Sequence, residues 1–350
     1  MLSLFPSKQA EQITDIVWMS SWISSDQQIW WLKDMLQMIP LWLYLALLGL
    51  LIVWLVLQCK ISRTDSDLIK KLHPYRRMMF YIMPKRNESV VYFDAYFRAD
   101  ELLRYLDLIR ERFHADITHC LVAAVAVGLR ENPEMNRFVV GHRVYQRRGN
   151  WVTFSMKRQK KDKRAKLSAV KKLIPPDITF EQLCASIQSE IVEQRSDKIT
   201  SHDREYNLLS LIPRPLLKLG VSAIRWLDYH NILPGSFIRQ DPMYTSAFIA
   251  NLGSVGMDPG YHHLYEWGTC SHFLMVGQIA DRPVIVDGQV TVQKSLHIRF
   301  TYDERIDDGL TAHYGIRSFQ RVLEDPVRYL GCVQANGSDT FPIGQPPNVQ

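Results

Sequence analysis

No charged residue occurs between Met35 and Cys59, and Leu41 to Leu57 is almost wholly Leu, Ile, Val, Trp, Tyr and Ala. A helix of about 20 apolar residues crosses the hydrocarbon core of a bilayer. The run therefore predicts one transmembrane helix over residues 38–59. Trp42, Tyr44 and Trp54 lie toward its ends, as interfacial anchors would. The competing reading is a helix buried in a soluble core. A cleaved signal peptide fits less well, because the run is long and no small-residue cleavage site follows it.

The span divides the chain unequally. Lys60, Arg63, Lys70, Lys71, Arg76 and Arg77 follow it, whereas only Lys8 and Lys33 precede it. The positive-inside rule then predicts a single-pass protein of the cytoplasmic membrane, with its N-terminus outside and its large C-terminal part in the cytoplasm. Residues 1–37, with Ile13, Ile16, Val17, Trp18, Trp22, Trp30 and Trp31, read as an extracytoplasmic amphipathic tail. Residues 60–89 read as a basic connector and 90–332 as the main domain. Residues 333–350, rich in Pro, Gly, Asn and Ser, read as a disordered tail. The five cysteines have no CxxC or metal-ligand spacing and fit a reduced setting, with Cys59 at the membrane edge. The net charge of +6 suits an anionic surface or ligand and gives no indication of nucleic acid.

Val90–Phe97 alternates as a strand. Asp100 is expected to cap the next helix, and Asp116 or Thr118 to open a fully buried one over Leu121–Leu129, stopped by Asn132-Pro133. Phe138–Gln146 and Trp151–Met156 read as a hairpin across Arg148-Gly149-Asn150. Lys157–Lys172 is densely basic and reads as a solvated loop or one held beneath an anionic bilayer. Thr179–Gln194 has amphipathic helical spacing. Leu208–Leu233 is a helical apolar stretch broken by Pro213 and Pro215 and interrupted by Arg214, Lys218 and Arg225. It reads as a helix on the membrane, a cover for a site, or core. Asp287-Gly288 marks a hairpin between two valine-rich strands.

Two stretches carry the chemistry. In FTYDERIDDG, residues 300–309, a strand runs into Asp303, Glu304, Arg305, Asp307 and Asp308 before a helix that Pro326 stops. Charges packed between a buried strand and a buried helix need partners. In GYHHLYEWGTCSHF, His262 and His263 precede Glu266 by about one helical turn. The first stretch resembles the catalytic domain of the dihydrolipoyl acyltransferases of 2-oxoacid dehydrogenase complexes. That family carries Asp-His-Arg-x-x-Asp/Asn-Gly here and shares its fold with chloramphenicol acetyltransferase. Asp303, Arg305, Asp308, Gly309 and Leu323-Glu324-Asp325-Pro326 match; the family's basic histidine is Glu304. LVAAVAVGLRENPEMNRFVVGHRVYQR resembles the family's buried helix, Asn-Pro turn and strand. SAFIANLGSVG resembles its strand ending in Ser-x-Leu-Gly, with Ala250 where the oxyanion-binding hydroxyl stands and Ser254 nearby. DERIxDG with HHLxEWG also resembles short, lipoyl-free bacterial relatives.

The resemblance implies an α/β two-layer sandwich, a mixed sheet covered by helices, behind the transmembrane helix. It implies a homotrimer with sites between subunits and acyl transfer from an acyl-CoA or acyl-carrier protein to an unknown acceptor. Coenzyme A thioester would be a co-substrate, and no bound cofactor or metal is expected. The basic run could steer its phosphates, and membrane lipids are the other expected partner. His263, or else His262, is the candidate replacement base, with Glu304 as its orienting carboxylate. The histidines could instead be structural, or bind a metal with Glu266. Glu304 could itself be the base if its pKa were raised, which Arg305 opposes. Asp308 is placed near the acyl group and Ser254 at the oxyanion, and Asp303 and Arg305 are expected to pair with each other or with neighbouring charges and fix the turn. The alternative function is a catalytically inactive scaffold of the same fold at the membrane.

Overall fold

The computed structural model describes residues 40–157, 167–195 and 211–347. The chain divides into two units, Met1–Lys60 and Ile61–Gln350. In the first unit, α1 (Leu41–Cys59) has a mean hydropathy of 2.3 and buries none of its residues. It is long and apolar enough to cross a membrane: its 19 residues rise about 28 Å at 1.5 Å each. The expected amphipathic tail and the centre of the basic run lie outside the described residues.

The second unit begins earlier than the sequence suggested. Residues 61–89 are not a free connector. β1 (Ser66–Leu68) pairs with β4 (Arg143–Arg147), and α2 (Pro74–Ile82) buries Phe80. Arg63, Ser66, Arg86 and Ser89 are also buried. Basic residues in this stretch serve as counter-ions to carboxylates that lie far along the chain, which a local charge count cannot reveal.

The main sheet has six strands in the order β2-β9-β8-β7-β5-β6. These are β2 (Val90–Arg98), β5 (Asn150–Lys157), β6 (Leu167–Ile174), β7 (Ala247–Asn251), β8 (His272–Val286) and β9 (Gln289–Asp303). β5, β7 and β8 are mutually parallel and the outer pairings antiparallel, so the sheet is mixed. One face is covered by α3 (Asp100–Ile109), α4 (Ile117–Glu131), α5 (Phe180–Arg195) and α8 (Gly309–Glu324). Period-two alternation explains the layering. Ala247, Ile249, Leu274 and Val276 point to the helices; Phe248, Phe273 and Met275 point to the other face, under Leu264 and Cys270. The fold is the expected two-layer α/β sandwich. α4 is buried through almost its whole length, as its apolar composition requires, and Asp116 caps it by accepting from Thr118 and His119 N–H.

Several local expectations change. Asp100 lies in the first turn of α3, and Ala99 is the cap residue. The hairpin is β3 (Arg137–Val140) with β4, in a separate three-stranded sheet with β1. Arg148-Gly149-Asn150 instead carries the chain between sheets. Leu167–Lys172 is strand rather than loop: Lys171 donates to the Ile238 and Asp241 carbonyls, and Lys172 pairs with Glu190. Residues 333–347 are packed rather than disordered. Ile343 is buried, and Asp339 accepts from Val333 and Gln334 N–H. Pro and Gly there form tight turns against the domain. The β8–β9 hairpin turns at Asp287 and Gly288, both at positive φ as a two-residue hairpin requires.

Candidate functional site

β9 ends at Asp303 and α8 starts at Gly309, so the charged turn joins the central sheet to the helical layer. Asp303 is 1% exposed and Arg305 4%. Arg305 folds back on Asp303: Nε donates to Oδ1 and Nη2 to Oδ2, both at 2.9 Å. Ser89 Oγ donates to the same Oδ1 at 2.9 Å, and Arg86 Nε lies 3.7 Å from Oδ2. Burial pushes the Asp303 carboxyl up, but Arg305, Arg86 and the Ser89 hydrogen bond outweigh it and hold it below the usual range. Asp303 is thus a fixed anion, not a proton carrier. Asp308 caps α8, its Oδ1 accepting from Leu310 and Thr311 N–H.

Four residues that the sequence reading did not single out complete this turn. They are Arg76, Arg86, Ser89 and Arg137. Arg76 donates to the Glu304 carbonyl and lies 3.3 Å from Asp307; Arg137 holds Asp307 at 2.9 Å. Arg86 donates to the Tyr265 and Gly268 carbonyls. Crowded carboxylates with one arginine among them did signal a need for further cations, but not which ones.

Arg86 therefore joins the two chemical stretches. In the second, His262 stacks on Phe273 with centroids 4.0 Å apart, and His263 lies 5.1 Å from His262. His262 Nδ1 is 2.6 Å from the His263 carbonyl, and His263 Nδ1 is 3.0 Å from the Leu264 carbonyl. A carbonyl only accepts, so each Nδ1 carries a proton, and in the neutral form of each ring the lone pair is on Nε2. Burial lowers the His262 pKa. The tautomer-fixing task expected of Glu304 falls to backbone carbonyls. Glu304 itself is exposed, and its carboxylate bonds no described residue of the same chain. Glu266 is drawn away to accept from Asn87 N–H at 2.9 Å. Among the described residues, no group of three His, Cys, Asp or Glu side chains could hold a metal. Ser254 is exposed on a short 3-10 turn, and its hydroxyl donates to the Asn251 carbonyl at 2.8 Å. Ala250 sits on β7 beside Met275.

A cleft of about 310 Å3 opens behind the turn, lined by Phe80, Arg86, His142, Tyr229, Trp267 and Arg305 among others. That volume is within the range of small-molecule sites. His272, by contrast, is a core residue. Its Nδ1 is 3.2 Å from the Ser246 carbonyl, its Nε2 has no partner among the described residues, and burial lowers its pKa to about 4.

Fold and turn together define a two-layer α/β domain whose strand-to-helix corner is fixed by a buried Asp–Arg pair. Residues 237–331 match the model of the 2-oxoacid dehydrogenases acyltransferase (catalytic domain). Over 60 residues the chain is 40% identical to the dihydrolipoyllysine-residue succinyltransferase component of the 2-oxoglutarate dehydrogenase complex of Cupriavidus necator, covering 17% of this chain and 14% of that protein. Over 51 residues it is 35% identical to the lipoamide acyltransferase component of the branched-chain alpha-keto acid dehydrogenase complex of Pseudomonas putida, covering 15% and 12%. The chain thus matches only about one-seventh or less of the length of these relatives. Among solved structures, a probable dihydrolipoamide acetyltransferase from Listeria monocytogenes aligns with a TM-score of 0.49 at 15% identity, over 74% of this chain and 94% of the other. A chloramphenicol acetyltransferase aligns at 0.45 and 11%, over 74% and 99%.

Proposed function

We propose that this protein is a membrane-anchored acyltransferase that moves an acyl group from an acyl-CoA or acyl-carrier protein to an acceptor, as a homotrimer with sites between subunits. The observation that carries the reading is the turn itself. The buried Asp303–Arg305 pair keeps the family's corner in place, and Arg86 ties that corner to a loop bearing two imidazoles with available Nε2 atoms. Protons and leaving group balance in a simple sequence. His263 Nε2, or failing it His262 Nε2, takes the proton from the acceptor nucleophile. The nucleophile attacks the thioester carbonyl. Ser254 and nearby backbone N–H groups receive the oxyanion. The thiolate then leaves and takes the proton from the imidazolium. Glu304, reaching the imidazole across a subunit boundary, stabilises that imidazolium, and Asp308 holds the end of the turn near the acyl group.

Calorimetry of the full chain in detergent with coenzyme A and acetyl-CoA tests the reading. Saturable binding is expected; its absence for both would overturn the acyl-CoA donor and leave only an acyl-carrier protein as the donor. A second reading is a scaffold without activity. It is favoured by Glu304 and Ala250 standing where the family places its base and its oxyanion hydroxyl.

A further inference from the structure

α6 (Arg214–Tyr229) has sixteen residues, and none is buried. Leu216, Leu219, Ala223 and Trp226, at helical spacing, share one exposed face; Leu219 is 66% exposed and Trp226 49%. Ile224 and Leu227 turn inward onto Leu233, Ile238 and Tyr244, so the helix is attached to the domain on a different side. Arg214, Lys218 and Arg225 fall together on a further face, and no described residue pairs with any of them. An apolar face with aromatic and leucine residues beside a cationic one is the composition of a helix lying in a membrane interface.

α2 has a similar apolar face next to it. Tyr75, Met78, Tyr81 and Ile82 are exposed, exposed Arg77 flanks them, and Phe80 anchors the helix inward. His142 links the two helices: it stacks on Tyr81 at 4.7 Å, and its ring hydrogen-bonds the Tyr229 hydroxyl at 2.9 Å. Chain connectivity supplies the occupant. Arg63 follows Cys59 by four residues, and its Nη1 is bound at 2.8 Å to Asp228 in the last turn of α6. Four residues of chain reach at most about 14 Å. A bilayer that holds Cys59 at its surface therefore has the end of α6 within reach.

We infer that α6, with α2 beside it, lies in the surface of an anionic bilayer and orients the domain on the membrane. This rests on the reading of α1 as a transmembrane anchor. The apolar face would sit about 5–10 Å into the headgroup and acyl boundary, and the basic residues would be attracted to the anionic surface. The same helices wall the candidate cleft, through Phe80 and Tyr229.

The full chain reconstituted in vesicles of phosphatidylcholine and phosphatidylglycerol tests this. An environment-sensitive fluorophore is placed at Leu219→Cys in a Cys59→Ser background, and in a second sample at the native Cys59. The other four cysteines are buried. Shallow doxyl-labelled lipid is expected to remove most of the emission at both positions, and the loss at position 219 is expected to shrink in vesicles of phosphatidylcholine alone. A label at exposed Leu108→Cys serves as the water-facing control. Quenching at Cys59 with none at 219 overturns the docking and points to a second copy of the chain, or to water, on α6. No quenching at Cys59 instead overturns the anchor reading on which the docking rests.

Discussion

Arg305 grips Asp303 through two parallel hydrogen bonds of 2.9 Å, although the two residues are only two apart in sequence and both are almost completely buried. A pair this close in sequence closes a tight turn, and the guanidinium has donors left for the Met83 and Pro84 carbonyls. One ion pair thus fixes the β9–α8 corner and docks the end of α2 on it.

Asp303→Asn is expected to lower stability by about 3–5 kcal/mol, because it leaves Arg305 and Arg86 buried without their shared counter-charge. Urea unfolding of wild type and variant, read by tryptophan fluorescence, measures this. The carboxyl is held below its usual range, so its contribution is complete above the unfolded value of about 3.9 and is lost as pH falls through the lower folded value. A loss under 1 kcal/mol would mean that the pair does not hold the corner.

His272 gives a pH dependence of a different origin. Burial takes its pKa from the ordinary 6.5 to about 4. The unfolded chain therefore binds the proton first, and stability falls as pH drops from 6.5 toward 4. The full effect is about 3 kcal/mol. His272→Leu, whose side chain would face the apolar wall of Leu274, Phe300 and Phe319, is expected to flatten the unfolding midpoint over that range. An unchanged slope in the variant would assign the pH dependence to other groups.

The legible parts of this molecule were those set by local pattern. β2 was visible because alternation survives in a half-buried strand, and α4 because an almost wholly apolar helix can only be buried. Asp287-Gly288 was visible because the turn demands those residues. The cationic shell was not, since Arg76, Arg86 and Arg137 meet Asp303 or Asp307 across at least 170 residues of chain. Such partners obey no local periodicity. The ordered C-terminal stretch was misread for a related reason: its Pro and Gly residues suit a packed turn as well as a disordered tail, and distant partners such as Ile178, Thr179 and Arg130 decide between them.

Assembly is tested by mass measurement in detergent. Three chains per particle are expected. A monomer would leave Glu304 without a subunit boundary to cross, since its carboxylate bonds nothing described in its own chain, and would remove its proposed part in catalysis.

Chain closeness favours Gly253 as a second structural test. A Cβ there would lie 2.3 Å from the Gly277 carbonyl oxygen, where the Ser254 turn passes the irregularity in β8. Backbone cannot yield as a side-chain tip can, so Gly253→Ala is expected to shift the turn and cost about 1–3 kcal/mol. Thermal unfolding measures the cost. If acyl transfer falls while stability is unchanged, the turn matters through Ser254 and not through the fold.

The base itself is decided by three variants in an acyl-transfer assay. His263 Nε2 is the proposed base because Leu264's carbonyl already fixes its other nitrogen, and His262 is held in the same way by the His263 carbonyl. Loss of a general base costs about 10²–10⁴-fold in rate, so His263→Ala is expected to fall by that amount, with His262→Ala the substitute candidate. Glu304→Gln keeps size and hydrogen bonding and removes only charge. If Glu304 stabilises the imidazolium, its loss and that of His263 are not independent, and the double variant falls little below His263→Ala alone. If Glu304 were the base, Glu304→Gln would carry the full loss and both histidine variants would keep wild-type rates. The pH profile separates these cases as well. An imidazole base gives a rate that rises through the histidine range and is lost in the alanine variant; a carboxylate base gives a rise at lower pH that survives it.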